Sequence, residues 1–352
     1  MRVVLADPPA YTPPYDHALA AALARAGAEV ELLTSPFRYG ETPAPDGYRV
    51  REPLYRVSAR LGGRWGRARL AVKALEHPAA LARLAAARGD VVHLQWVPAP
   101  EVDAWLLRTA PPLVFTAHDL LPRRTASRLR LWRRLYRRFD AVVVHSERGR
   151  RTLAGLGVDT TRLRVVPHPV FRREIERADD GRTVLALGLI RPYKRLGDAI
   201  EAVCRHPRAR LLVAGDPREP LEGHRAAGGD RVEWRLGYLS DPEIDRTLAE
   251  STVAVFPYRA EIDQSGALLA ALGAAVPAVV YDVGGLGEVV RAYGAGRVVP
   301  AGDVGALARA LQALLDDPEA LAGARAGAER ARAELTWEAA AAAHLALYEE
   351  LR

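Results

Sequence analysis

The stretch VAVFPYRAEIDQSGALLAALGAAVPAVVY (253–281) contains the unit from which the chain is built. Its two ends, VAVFP (253–257) and PAVVY (277–281), are apolar runs typical of buried strands, and an Ala/Leu segment of helical period joins them. Continuous apolar strands separated by a helix are typical of a parallel sheet that is buried on both faces. This stretch therefore predicts a β–α–β unit.

The same alternation runs along the rest of the chain and restarts once. A polar, irregular segment, FRREIERADDGR (171–182), separates the two series. Two series with one break predict an α/β protein with two Rossmann-like, doubly wound domains. We place the domains and a last helix at 1–172, 180–335 and 336–352.

Composition is that of an ordinary globular protein, with 352 residues, 49% hydrophobic and 26% charged. No apolar run approaches the roughly 18–20 residues that span a bilayer, and the N-terminus does not resemble a signal peptide. We therefore expect a cytoplasmic location. The one cysteine, Cys204, excludes an internal disulfide, and we expect it to fill space in the core.

Charge is unevenly distributed along the chain. Residues 1–170 contain 27 basic and 15 acidic residues, whereas the remainder contains 23 and 28. The first half should therefore attract anionic partners, although no nucleic-acid-binding module is recognisable and we expect no nucleic-acid partner. Only Lys73 and Lys194 are lysines in a chain that otherwise uses arginine.

Candidate site residues are those that directly follow strands, because open α/β sheets bind ligands beyond the carboxyl ends of their strands. Arg191 and Lys194 follow the strand TVLALG (183–188) and lie in a turn made by Pro192. A basic pair at this edge suits a diphosphate, which must have its charge neutralised as it leaves. The alternative is two solvated surface charges.

A second candidate is the polar cluster between the strand and the helix of the opening stretch. It contains Glu261, Asp263, Gln264, Ser265 and Gly266. Ser or Asp at this place caps a helix, and a small residue at the helix start lets an anion approach bare N–H groups. Capping alone and an anion site are both consistent with these residues.

In the first half, His118 follows the strand LVFT (113–116), and Gln95 ends the strand VVHLQ (91–95). A histidine in this place can donate to a substrate oxygen or polarise it, or it can bond to backbone in a turn. We expect Gln95 to line the cleft. No G-x-G-x-x-G fingerprint and no metal-ligand spacing are present, so we expect neither a bound cofactor nor a metal site.

Several segments in this order resemble the GT-B glycosyltransferases, specifically the retaining family 4. They are TAHDLLP (116–122), VVPHPVF (165–171), RPYK (191–194), PAVVYDVGGLGEVV (277–290) and the C-terminal LTWEAAAAAHLALYEEL (335–351). The resemblance implies two domains that face a central cleft, and a C-terminal helix that crosses back over the first domain. It also implies a hexosyltransferase that retains anomeric configuration without a metal.

The resemblance also assigns roles to residues. Lys194 and Arg191 would hold the diphosphate of a UDP- or GDP-sugar, together with the backbone N–H groups of Ser265–Ala267. His118 would contact the donor sugar, and Gly215, Tyr238 and Leu239 would border the nucleobase. The acceptor would be a small molecule, a glycan or a lipid-linked compound, and Tyr11, Tyr15, Asp16 and Gln95 would lie on its side.

The chain departs from the family pattern at two positions. Leu189 stands where relatives usually have an arginine, so that Arg191 would have to substitute for it. Ala270 stands where relatives often have a glutamate that contacts the ribose, whereas Glu261 or Asp263 could contact the donor sugar. These departures leave two alternatives open: a sugar-nucleotide-binding protein without transfer activity, or another GT-B-like sugar enzyme such as a phosphorylase or epimerase.

The segment RRTASRLRLWRRLYRRF (123–139) predicts a basic amphipathic helix. It could pack on the sheet and leave an arginine face in solvent. Alternatively, it could contact the anionic inner face of the cell membrane and bring the enzyme to a lipid-linked acceptor.

Overall fold

The computed structural model divides the chain into two compact units. The N-terminal unit contains Met1–His168 and Trp337–Arg352, and the C-terminal unit contains Pro169–Thr336. The described residues are 1–38, 40–61, 66–122, 124–260 and 262–352.

Within the described residues of the N-terminal unit, seven parallel strands form one sheet. They are β1 Arg2–Asp7, β2 Glu29–Thr34, β3 Arg49–Arg51, β4 Val91–Leu94, β5 Leu113–Thr116, β6 Ala141–Val144 and β7 Leu163–Val165. Their order along the sheet is β3-β2-β1-β4-β5-β6-β7. The helices between them are α1 Pro13–Arg25, α2 Arg56–Arg60, α3 Gly66–Ala85, α4 Pro100–Leu106, α5 Leu129–Tyr136 and α6 Glu147–Gly155. Apolar clusters cover both faces of the sheet, as continuous apolar strands require.

The C-terminal unit repeats this plan with six parallel strands among its described residues. They are β8 Thr183–Leu187, β9 Arg210–Gly215, β10 Val232–Leu236, β11 Val253–Phe256, β12 Ala278–Tyr281 and β13 Gly296–Val299, in the sheet order β10-β9-β8-β11-β12-β13. The helices are α7 Leu196–Cys204, α8 Glu222–Gly228, α9 Asp241–Ala249, α10 Gly266–Gly273, α11 Gly284–Tyr293, α12 Val304–Asp316 and α13 Pro318–Glu334.

The last helix, α14 Trp337–Glu350, belongs to the N-terminal unit and packs against α1. Ala341 and Tyr348 on this helix are fully buried. The hydroxyl of Tyr348 lies 2.6 Å from Nδ1 of His93 on β4, so that α14 reaches the central strands of the sheet.

The predicted pair of Rossmann-like units is confirmed, whereas three short strands were not predicted. These are β3, β7 and β13, and each lies at the edge of its sheet. Edge strands have one neighbour and are partly exposed, so they lack the continuous apolar run that identifies a central strand.

Two local predictions need correction. The helix predicted over 123–139 spans only Leu129–Tyr136, because residues 124–127 form turns; Arg123 lies outside the described residues. Cys204 is exposed at the end of α7 and does not fill the core. In the parts of the chain that the structure describes, no helix is long and apolar enough to span a bilayer.

Candidate active site

The switch point of the C-terminal sheet lies where β8 separates β9 from β11. Successive strands are added on one side of β8 and then on the other, which leaves a crevice at the carboxyl ends of β8 and β11. The segments that follow these two strands contain the basic turn and the polar cluster, respectively.

Lys194 lies at the carboxyl end of β8. Its Nζ donates to the carbonyl oxygen of Leu187 at 3.0 Å and lies 5.2 Å from the ring centroid of Tyr258. A Cβ added to Gly188 would lie 3.0 Å from this Nζ and 3.5 Å from the Cβ of Ala267, so the ammonium lies beside the first turn of α10. Burial, and then the charge of Arg191, lowers the pKa of Lys194 to about 8. Arg191 itself is exposed.

The first turn of α10 has a side-chain cap and an open approach. Oγ of Ser265 accepts from the backbone N–H of Leu268 at 3.2 Å and donates to the hydroxyl of Tyr258 at 3.4 Å. Gly266 is exposed, and a Cβ built on it would have no neighbour within 4 Å among the described atoms. Capping and accessible N–H groups therefore coexist at this helix start, where the helix dipole favours an anion.

The glycine turn that begins α11 packs against the backbone of the polar cluster. Gly284 has a φ of +47°, and a Cβ there would lie 2.2 Å from the carbonyl oxygen of Ile262. The next residue, Gly285, donates its N–H to the carbonyl oxygen of Asp263 at 2.7 Å. Gln264 donates to Oδ2 of Asp263 at 3.4 Å, while Glu261 lies outside the described residues.

The three residues expected near a nucleobase have different environments. Gly215, at the end of β9, has a φ of +147°, and a Cβ there would lie 2.2 Å from the carbonyl oxygen of Gly188. Only glycine therefore fits between the ends of β8 and β9. Tyr238 is 88% exposed, whereas Leu239 is half-buried against the core.

In the N-terminal unit, His118 is held at the carboxyl end of β5. Its Nε2 lies 3.0 Å from Oε1 of Gln95; because this oxygen can only accept, Nε2 carries the proton. The imidazole stacks on Trp96 at 5.2 Å between centroids and meets the edge of Tyr15 at 4.7 Å. Burial of the ring, followed by the neighbouring histidines, holds the pKa of His118 well below its usual range. The side chain is therefore neutral at pH 7.

Three further histidines surround this position. His145 donates from Nδ1 to the carbonyl oxygen of Val166 at 2.9 Å, and its ring lies 5.4 Å from that of His118. His168 lies 4.8 Å from His145, and His93 bonds through Nε2 to Thr116 at 2.7 Å. Burial lowers the pKa of both His93 and His145, so these two side chains are uncharged at pH 7.

The loop after β1 contains a buried pair of carboxyl groups. Oδ2 of Asp7 accepts from the N–H groups of Tyr11 and Thr12 at 2.7 and 3.1 Å, and Asp7 is also hydrogen-bonded to Asp16. Burial raises the pKa of both carboxyls, and for Asp16 the negative charge of Asp7 adds to this effect. The hydrogen bonds that Asp7 accepts fix the loop between β1 and α1, which carries Tyr11.

The residues expected on the acceptor side are therefore neighbours in the N-terminal unit. Tyr15 and Gln95 contact His118 directly, and Asp16 lies beside Tyr15. Tyr11 packs edge-on against Trp96 at 5.4 Å. Tyr11 is 57% exposed, whereas Tyr15 is buried.

Sequence reasoning missed three residues that shape these sites: Asp7, Trp96 and Tyr258. Asp7 is the last residue of β1, and the other two lie within two residues of a strand end. The strand-end rule applied to every strand would have found them. The described residues contain no group of three or more His, Cys, Asp or Glu that could hold a metal ion.

Two family models match the chain, one for each unit. A glycosyl transferase 4-like domain matches residues 14–169, and a model named glycosyl transferases group 1 matches residues 181–317.

Curated relatives have related descriptions. The D-inositol 3-phosphate glycosyltransferase of Mycolicibacterium smegmatis is 30% identical over 298 residues, which are 74% of this chain and 67% of that protein. The glycogen synthase of Mycobacterium tuberculosis is 32% identical over 176 residues, 47% of this chain and 42% of that protein. The chain thus spans less than two thirds of the length of several relatives that it matches, and about two fifths of that glycogen synthase.

Solved structures share the fold over the whole chain. The sucrose-phosphate synthase of Thermosynechococcus elongatus superposes with a TM-score of 0.79 at 21% identity, covering 100% of this chain and 99% of that one. Anabaena Alr3699/HepE, solved in complex with UDP, has a TM-score of 0.72 at 15% identity, with 100% of both chains covered.

Proposed function

The chain belongs to the family 4 glycosyltransferases of the GT-B fold, and from this premise we propose that it moves a hexose from a nucleoside diphosphate to an acceptor hydroxyl or similar nucleophile. The proposal includes retention of anomeric configuration and transfer without a metal. The observation that carries it is the partly buried ammonium of Lys194, which lies at the switch point beside the start of α10.

The chemistry requires charge stabilisation on one side of the reacting bond. The bond from the anomeric carbon to the diphosphate oxygen breaks, a bond from that carbon to the acceptor oxygen forms, and the proton of the acceptor hydroxyl passes to the leaving diphosphate. Lys194, Arg191 and the N–H groups of Ser265–Ala267 then stabilise the negative charge that develops on the diphosphate. Fixed charges of this kind need no reorganisation during the reaction, so they act selectively on the transition state.

His118 has a different role in this proposal. Since Nε2 donates to Gln95, Nδ1 has a free lone pair that can accept a hydrogen bond from a hydroxyl of the donor sugar. A neutral imidazole suits this role because a hydroxyl needs an acceptor and not a second cation. Tyr11, Tyr15, Asp16 and Gln95 would border the acceptor, which is a small molecule, a glycan or a lipid-linked compound.

For the donor we propose a UDP- or GDP-sugar. Support comes from the two cations at the end of β8 and from the fold shared with Alr3699/HepE, which was solved with UDP. Gly215, Tyr238 and Leu239 would lie on the nucleobase side, and Asp263 and Gln264 on the side of the sugar.

A second candidate, donor binding without transfer, is favoured by one observation. Ala270 is half-buried on α10, at the position where the family often has a ribose-binding glutamate. Its methyl group cannot accept a hydrogen bond from a ribose, so donor binding would depend more heavily on the diphosphate.

A donor screen tests the proposal and separates the two candidates. We expect one UDP- or GDP-sugar to raise the melting temperature and to release nucleotide when a mixture of acceptors is added. Binding without nucleotide release, over a broad set of sugars, polyols and lipid-linked acceptors, would favour the second candidate. Absence of any binding would contradict both.

We also propose a peripheral membrane contact through residues 123–139, next to a cytoplasmic membrane face. Trp132, Tyr136 and Phe139 are buried in the core, so they are not available for insertion. The contact would instead use the exposed arginines of this segment, with Leu129 and the exposed Trp105 of α4 beside them. Co-sedimentation with anionic vesicles at low salt tests this contact, and its absence there would end the proposal.

A further inference from the structure

The N-terminal unit contains a basic cavity that the proposed transfer chemistry does not use. An inner part is lined by Tyr11, Tyr55, Arg38, Arg69 and Lys73 among others. An outer part, with a volume of about 730 Å³, is lined by Arg38 and by Arg51, Arg56 and Arg60. The two parts share Pro36, Phe37, Arg38 and Ala59, so they are neighbours.

Lys73 lies between two aromatic rings in the inner part. Its Nζ is 4.9 Å from the ring centroid of Tyr55 and 5.5 Å from that of Tyr11. Both distances are within the range of a cation–π contact. The two carboxyls that act on this ammonium have partners of their own: Asp7 accepts from Tyr11 and Thr12, and Glu76 accepts from Val57 and Ser58.

Among the described residues, the buried Nε of Arg69 has no hydrogen-bond partner. Arg69 and Lys73 lie one helical turn apart on α3, and Arg69 contributes to lowering the pKa of Lys73, after burial. Two neighbouring cations repel each other, and an anion bound between them would relieve that repulsion.

The charge of the cavity lining is one-sided. It includes five arginines and one lysine against a single acid, Glu52. Arg51 is paired with Glu31 at 3.1 Å. The chain otherwise avoids lysine, so a compact ammonium at this position is unusual for its composition.

The cavity is connected to the histidine site of the same unit by ring contacts. Tyr11 flanks Lys73 and packs against Trp96, and Trp96 stacks on His118. A chain of contacts therefore joins Lys73 in the cavity to His118.

We propose that this cavity binds an anionic group of the acceptor, a phosphate ester, with Lys73 and Arg69 as its charge partners and Tyr11 and Tyr55 beside it. That the ligand is an acceptor rests on the proposed function, whereas the anion site itself does not. A phosphate ester suits the site because it presents several acceptor oxygens to an ammonium and a guanidinium at once. It can come from a soluble sugar or polyol phosphate, or from a lipid headgroup.

The test uses the full chain and four variants: Lys73→Met, Arg69→Gln, Lys194→Met in the other unit, and Arg88→Gln as a control for loss of charge. Arg88 is exposed and does not line the cavity. Binding of inorganic phosphate, glycerol 3-phosphate and UDP is measured by thermal shift and calorimetry at constant ionic strength.

We expect Arg88→Gln to leave phosphate binding unchanged, and Lys73→Met and Arg69→Gln to weaken it about 10-fold or more, both alone and in the Lys194→Met background, where the donor site has lost its ammonium. UDP should show the reverse dependence, with its binding lost only in Lys194→Met. If Lys73→Met fails to fold, Arg69→Gln carries the test. Equal phosphate affinity in wild type and the cavity variants, or no phosphate binding at all, overturns the proposal.

The two sources of phosphate are separated in the same way. Co-sedimentation with phosphatidylcholine vesicles, with and without phosphatidic acid, is compared with glycerol 3-phosphate binding. Binding that depends on Lys73 for the soluble ester assigns a soluble acceptor, and binding that depends on it only for phosphatidic acid vesicles assigns a lipid. If the wild type binds phosphate but not UDP, the proposed function is contradicted and the proposed anion site still stands.

Discussion

The carboxyl ends of the two sheets have opposite chemical character. In the C-terminal unit, Lys194, with the charge of Arg191 near it, lies beside the open start of α10. In the N-terminal unit, the corresponding edge has neutral imidazoles, aromatic rings and two buried carboxyls whose pKa values are raised by burial. Similar folds thus have a half-buried ammonium beside a helix start in one unit and an uncharged cluster around His118 in the other. The fold provides the crevice, while the residues after each strand decide its chemistry.

Removing the cation of the C-terminal unit should have the largest effect. We expect Lys194→Ala to lower kcat/KM for sugar transfer by about 100- to 1,000-fold, because the diphosphate would lose its buried charge partner. Transfer is measured as nucleotide release with the donor found in the screen. The matched control is Arg88→Ala, which removes an exposed cation outside both sites and should leave kcat/KM unchanged. If Lys194→Ala kept the kcat/KM of the wild type, Lys194 would not stabilise the diphosphate and the proposed donor site would be wrong.

Replacing the neutral group of the N-terminal unit should have a smaller effect. We expect His118→Ala to lower kcat by about 10- to 100-fold with little change in UDP affinity, since one hydrogen bond to the sugar is lost. Steady-state kinetics and UDP calorimetry separate the two quantities. His118→Asn, which retains a hydrogen-bonding group, should recover part of the activity. Weakened UDP binding in His118→Ala would mean that the two edges do not divide their roles as proposed.

The uncharged state of the N-terminal cluster should appear in the acid stability of the protein. Burial lowers the pKa of His344 on α14 to about 4, from about 6.5 in an unfolded chain. The unfolded state therefore binds the proton more readily, and stability is lost as pH falls below about 6.5. We expect His344 to account for about 2 kcal/mol of this loss at pH 5.

Urea unfolding at pH 7 and pH 5 measures the change in the free energy of unfolding between these two pH values. His344→Leu, which cannot be protonated, should lose about 2 kcal/mol less than the wild type between the two pH values. Identical pH dependence in both proteins would show that His344 is not the titrating group.

The pKa of Lys194 should produce the smallest effect, at alkaline pH. The ammonium is present below pH 8 and is lost as pH rises through about 8, so UDP affinity should fall about 5-fold between pH 8 and 9. Calorimetry at pH 7, 8 and 9 measures the fall. Lys194→Arg stays charged over this range and corrects for any titration of UDP itself. An equal fall in both proteins would assign the effect to the ligand.

The strand-end rule located most of the residues discussed above from the sequence. Lys194, Ser265 and His118 all follow central strands whose apolar runs are unmistakable. Asp7 and Trp96 were missed because the rule was not applied at those two positions. The short edge strands were missed because their apolar pattern is weak. The rule could not identify Lys73, because this residue lies within α3 and reaches the loop after β1 only through packing.

The helix predicted over 123–139 shows a different limit. The sequence pattern correctly indicated an amphipathic segment, but the same pattern is consistent with packing on a sheet and with lying on a membrane. Trp132 and Tyr136 are buried in the core, a fact that depends on which surfaces the rest of the chain presents to them.

By itself, the sequence determined the two parallel α/β units, their order and the strand ends at which polar residues gather, because burial on both faces requires continuous apolar strands joined by helices. The tertiary structure decided which of those residues meet and in what protonation state. Lys194 has a pKa of about 8 because it is buried beside Tyr258 and Gly188, and His118 is neutral because its ring is buried, with other histidines beside it. Such values depend on desolvation by segments distant in the chain, and no local pattern encodes that.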